Sequence, residues 1–137
     1  MDAFDFTTWM VGRQIVGVAL LEPSMWVFSF GDTLGISAEC PWRLLRKGSI
    51  VISGDDHRQQ YGLPAPVDAA ERAASLLAGA VVRHVEVRNG TADLLVDFER
   101  DLRLEVIPFS SGYESWKVSA PGGKSIVAQG GGQLSAW

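Results

Sequence analysis

The chain has 137 residues, 47% of them apolar, and a net charge of −4. A chain this long buries roughly 65–70% of its unfolded surface, enough for a single domain over 1–137 with no metal or disulfide staple. The acidic balance gives no electrostatic footprint for nucleic acid or an anionic membrane, and a lone cysteine, Cys40, excludes an intrachain disulfide or a cysteine-based metal site.

The N-terminal stretch MDAFDFTTWMVG is apolar without a period, and Phe4, Phe6 and Trp9 are expected to lie across an open edge or end of a sheet. Two acids precede the first base, unlike the positive start of a signal peptide. The apolar run 15–21 falls well short of the roughly 20 residues that cross a bilayer. A cytoplasmic protein is therefore expected, and nine Arg against three Lys suggest a GC-rich bacterial genome.

Residues 14–21 read as a strand and Glu22-Pro23-Ser24 as a turn. Trp26, Phe28 and Phe30 then alternate with Met25, Val27 and Ser29, the period of a strand with one buried face. After Gly31-Asp32-Thr33, Leu34, Ile36 and Ala38 resume that parity. Opposed residues of an antiparallel pair share a face, so the turn should set Phe28 against Ile36 and Trp26 against Ala38. The same logic around Glu99-Arg100-Asp101 sets Phe98 against Leu102, Val96 against Leu104 and Leu94 against Val106. A slip of one residue would turn either set toward water.

Further strands are expected over 41–46 and 49–53, followed by a polar surface loop over 54–62. One helix is expected over 66–78, with Pro66 in its first turn, Val67, Ala70, Ala74 and Leu77 as its apolar stripe, and Gly79 ending it. Strand patterns return over 81–87, 92–98, 102–107, 113–119, 125–128 and 133–137. Asn89-Gly90 is a hairpin turn, and Gly130-Gly131-Gly132 marks a bulge or tight corner.

The two sides of the helix echo each other. Phe30 matches Phe98, Leu34 matches Leu102, Ile36 matches Leu104, and Trp42 matches Trp116. The reading is an α+β fold of two similar halves, about 13–53 and 81–128, with a strongly curved, mostly antiparallel sheet of about nine or ten strands on one central helix. A half-open barrel is the alternative.

No Ser-His-Asp order, phosphate loop, dinucleotide fingerprint or HExxH is present, so no catalytic residue, metal or cofactor is assigned. Asp55, Asp56 and His57 form the one acid–histidine cluster, read as a solvated loop for want of a second ligand set nearby. Glu114 shares parity with Trp116 and is expected to point toward the core, where it would be paired or perturbed. Trp42 and Trp116 are read as core that could instead wall a ligand pocket. Arg43 would be an anion anchor there, although its parity opposes Trp42. Cys40 is read as a buried, inert thiol.

YESW (113–116), PGG (121–123) and the closing GGQLSAW (131–137) resemble a family of small uncharacterised bacterial proteins. That resemblance implies no established activity and supplies no catalytic residues. A general similarity to small acidic α+β immunity proteins implies, by analogy, a role in binding a toxin-like partner. The leading expectation is a non-enzymatic binding module, monomeric or paired through an edge strand, whose acids Asp55, Asp56 and Glu99 meet a basic partner. The other is a small-ligand binder or weak enzyme using a concave sheet face with Glu114, Trp42 and Trp116.

Overall fold

The computed structural model describes residues 6–137, so the expectation for Phe4 lies outside them. Strands β1 (Gly17–Leu21), β2 (Met25–Ser29), β3 (Gly35–Ala38), β4 (Trp42–Arg46) and β5 (Ser49–Ser53) precede the helix α1 (Ala69–Leu77). After it come β6 (Val82–Val87), β7 (Leu94–Phe98), β8 (Leu102–Val106), β9 (Trp116–Ser119), β10 (Ser125–Ala128) and β11 (Leu134–Ala136). The strands form two antiparallel sheets, ordered β1-β2-β3-β9-β10-β11 and β5-β4-β8-β7-β6, and neither closes into a barrel.

Both hairpins adopt the register their parity requires. Trp26 faces Ala38 and Phe28 faces Ile36; Leu94 faces Val106, Val96 faces Leu104 and Phe98 faces Leu102. Every one of these side chains is buried, as are Phe30 and Leu34. The turns are equally alike, with left-handed backbone at Asp32 (φ 53°) and Thr33 (φ 63°) in one and at Arg100 (φ 65°) and Asp101 (φ 56°) in the other.

The α+β class, the antiparallel pairing and the single helix stand as expected, and the strands are divided between two layers. Each hairpin hides one whole face, and the two faces bury each other, so the core lies between the sheets. Trp42 of the second sheet meets Trp26 and Phe28 of the first at ring-centroid distances of 5.1 and 5.2 Å. The helix is consequently not central: it touches β1 and β5, one edge strand of each sheet, and closes that side. At the other side, Gly12 and Arg13 hydrogen-bond Val82 on the edge strand β6, and Phe6 packs against Trp9 and Trp116.

The helix starts later than its sequence pattern suggests. Asp68 is its N-cap and accepts the Glu71 N–H at 3.1 Å. Val67 instead exchanges backbone hydrogen bonds with Arg58 and Gln59, which holds it and Pro66 outside the helix. The buried stripe is therefore Ala69, Ala73 and Leu77, with Val67, Ala70 and Ala74 only partly covered. No helix among the described residues is long and apolar enough to cross a membrane.

Thr33 carries a β-branched side chain at positive φ, a conformation that costs on the order of 1–3 kcal/mol. Thr33→Asn, which tolerates that region, is expected to raise stability by about 1 kcal/mol. Urea denaturation of both proteins at matched pH checks this.

Candidate functional site

The chain crosses between the sheets twice, at Glu39-Cys40-Pro41 after β3 and over 107–115 after β8. The two crossings meet. Glu39 N–H donates to the Ser115 carbonyl at 2.9 Å, and Ile107 N–H donates to the Pro41 carbonyl at 2.8 Å. Three surface depressions gather around the junction, and Glu39 lines all of them. One of about 610 Å³ runs along Pro41, Phe109, Tyr113 and Glu114. Another of about 370 Å³ is bounded by Trp26, Trp42, Gly54, Asp55 and His57. The smallest, about 100 Å³, lies by Trp116 and Lys117.

The longer crossing presents two aromatic rings to solvent. Phe109 and Tyr113 are each 81% exposed. Their loop is nevertheless held firmly. Ser110 Oγ accepts the N–H groups of Gly112 and Tyr113 at 3.0 and 2.9 Å, and the Ser110 carbonyl accepts Gly131 N–H at 3.0 Å. Here the closing glycine triplet acquires its reason. A Cβ on Gly130 would stand 2.4 Å from the Gly112 carbonyl carbon, and one on Gly132 would stand 2.0 Å from the Gly90 carbonyl oxygen. Only glycine lets that corner lie so close to the loop and to the Asn89-Gly90 turn.

Around the rings, the carboxylates of Glu39 and Glu114 are exposed and have no hydrogen-bond or ionic partner among the described residues. Glu114 therefore does not point into the core as its parity with Trp116 suggested. Strand β9 begins only at Trp116, so alternation does not extend back to position 114. The buried acid is Glu105, 6% exposed on the outer face of the second sheet, with Arg43 Nε at 2.7 Å and Arg103 at 3.7 Å. Arg43 is thereby committed to Glu105, across the sheet from Trp42, and takes no part in the junction.

Trp42 and Trp116 head the equivalent strands and both are buried core, 2% exposed. Their indole N–H groups differ. Trp116 donates to the Ala92 carbonyl at 2.8 Å, whereas Trp42 Nε1 has no acceptor among the described residues and lies against Gly54. Asp56 is a structural cap: one oxygen accepts Ser53 N–H at 2.9 Å and the other accepts the Tyr61 hydroxyl at 2.8 Å. His57 Nδ1 accepts Ala69 N–H at 3.1 Å, tying the polar loop to the first turn of the helix. Glu99 accepts Val81 N–H at 3.0 Å and approaches Arg83, so it too is engaged internally. Asp55 alone of that acidic set stays at the junction without a partner. No three His, Cys, Asp or Glu side chains among the described residues converge as a metal site would require.

These features define a two-sheet α+β protein with a helix closing one side and an ordered, aromatic-tipped junction at one end. The chain belongs to a family of unknown function, DUF6188, whose model matches residues 6–137. Neither a curated protein nor a solved structure matches it.

Phe109 and Glu39 were not singled out by their pattern, and Tyr113 entered only as the first residue of YESW and of an expected strand. The available signal was an aromatic after proline in a Ser-Ser-Gly stretch, which is a poor place to bury a ring.

The difference between the two tryptophans is measurable. Trp116→Phe leaves the Ala92 carbonyl unpaired, a penalty of about 1–3 kcal/mol that Trp42→Phe does not carry. Paired urea denaturation curves should place the Trp116 variant lower by that margin.

Burial pushes the Cys40 thiol from 9.0 up to about 12. The fold thus favours the protonated thiol, and that contribution, whole below pH 9, is lost as pH rises toward about 12. Cys40→Ala should lose less stability than the parent over that range, and iodoacetamide at pH 8 should label Cys40 far faster in urea than in buffer.

Proposed function

We propose that this chain is a non-enzymatic, cytoplasmic protein-binding module that engages a basic segment of another protein at the junction of its two crossings. One observation carries the reading: Phe109 and Tyr113 stand four-fifths in solvent on a loop whose backbone is pinned by Ser110 and the Gly130–Gly132 corner. Exposed aromatics contribute nothing to the core, and rigid aromatic anchors of this kind dominate binding energy at protein interfaces. A loop already held in place loses little entropy on association. The unpaired carboxylates of Glu39 and Glu114 beside the rings select a basic partner and hasten encounter with it. The chain's net charge of −4 acts in the same direction. Masking of a basic surface by a small acidic protein is how an immunity protein acts on its toxin, and the analogy extends to that mode alone.

Tagged full-length chain expressed in its native host should retain a basic partner, identified by mass spectrometry, whose capture weakens with salt. Phe109→Ser with Tyr113→Ser should lower that affinity about tenfold or more with no change in melting temperature, and Glu114→Lys should weaken it further. No enriched partner in a host that expresses the chain, or equal retention by the double variant, would sink the reading.

A further inference from the structure

Among the described residues, three of the four sheet edges are protected. The helix touches β1 and β5, and β5 also carries a register shift against β4 between Leu44 and Leu45. Strand β6 has a shift between Val82 and His84, charges at Arg83 and Glu86, and Gly12 and Arg13 hydrogen-bonded to Val82. Covers, bulges and charges of this kind keep sheet edges from joining other chains. Strand β11 ends its sheet without them. Residues 133–137 include no charge and no proline, and the register with β10 is unbroken from Leu134 to Ala136. Its hydrogen bonds run inward from odd-numbered residues. Trp137 exchanges backbone bonds with Ser125 at 2.8 and 3.1 Å, and the Gln133 carbonyl accepts Gln129 N–H at 2.7 Å. Alternation turns the N–H and carbonyl groups of Leu134 and Ala136 to the open edge, where they have no partner among the described residues.

We infer that β11 is a self-pairing edge that joins two copies of this chain antiparallel about a twofold axis at Ser135. The outward row fixes the register. Leu134 of one copy must oppose Ala136 of the other, because those residues have groups to exchange, and the twofold supplies the same pair again. The faces of the strand agree with this register. Leu134 and Ala136 stand beside Ala128 and Ile126 of the core, so pairing continues the apolar face from one copy into the next. On the outer face Trp137, 74% exposed, comes to lie against Gln133 of the second copy. A twofold sets residues near its axis against themselves, so any charge there would face a like charge. The uncharged run 133–137 therefore suits a second copy, whereas a basic segment would find no acid along it. Each copy uses up its edge, so assembly stops at two. The strand is short, which makes the interface small and the association weak and concentration-dependent.

Sedimentation equilibrium of the full chain over a wide range of concentration should show a mass rising from 14.8 kDa toward twice that value. Ala136→Pro removes one outward N–H from each copy, at an edge position where a strand accepts proline. It should weaken pairing about tenfold, the scale of the hydrogen bonds lost across the twofold. Ser135→Lys and Ser135→Glu should each weaken pairing too, by setting like charges opposite one another, and an equimolar mixture of the two should pair again. Recovery in the mixture also shows that both variants fold. A chain that keeps its monomer mass up to its solubility limit overturns the inference. A dimer unmoved by Ala136→Pro overturns it as well, since the contact then lies on another surface. Charged variants no more associated mixed than apart reject the twofold at Ser135. None of these outcomes bears on partner capture through Phe109 and Tyr113, which has its own test.

Discussion

Two strand pairings hold the molecule together, and both join one half of the chain to the other. The hairpin before the helix ends in β3, which pairs with β9 from the far side of the sequence, Ile36 against Val118 and Ala38 against Trp116. The hairpin after the helix ends in β8, which pairs with β4 from the near side, Leu44 against Leu104 and Trp42 against Val106. Each half thus contributes a three-strand meander to one sheet and the next strands to the other. Neither half can bury its apolar face alone. The constraint also explains the junction, because a strand that must join the opposite sheet has to leave its own, and the two departures meet at Glu39 and Ser115.

Much of this was legible in the chain because it rests on period and turn length. Alternation of Trp26, Phe28 and Phe30 with polar or smaller neighbours, followed by a three-residue turn, leaves one register that buries the whole set. What periodicity does not carry is which sheet a strand joins. Trp42 and Trp116 look alike whether the chain continues its own sheet or crosses to another, so two layers were not foreseen. The same blindness applied to Glu114, where strand alternation was extended two residues past the first paired residue, Trp116. Arg43 was correctly set opposite Trp42 by parity, but its partner Glu105 lies 62 residues away and no local pattern links them. The helix begins after Asp68, whose carboxylate accepts the Glu71 N–H, and not in a turn holding Pro66, and Ala69 and Ala73 take the buried places expected of Ala70 and Ala74 while Leu77 keeps its own.

The acidic loop after β5 illustrates how a cluster suggestive of chemistry can be shared between structure and surface. Asp56 and His57 spend their hydrogen-bonding capacity on Ser53, Tyr61 and the start of α1, which fixes the loop against the helix. Asp55, between Gly54 and these two, is left turned outward. Its neighbour Gly54 has no side chain because a Cβ there would stand 2.8 Å from Trp42 Nε1. The wall of the smaller aromatic depression is therefore set by core packing, while its charge comes from a residue that the core does not use.

The glycine corner divides the end of the molecule into parts with different freedom to vary. Gly130 and Gly132 are confined by backbone on the opposite side, so any larger residue must push the loop or the Asn89-Gly90 turn aside. The rings at positions 109 and 113 stand four-fifths in solvent and lie outside the buried core. A scaffold arranged this way can exchange its fingertips without disturbing its wrist: new side chains at those two positions could retarget the surface while the clamp beneath keeps them in the same place.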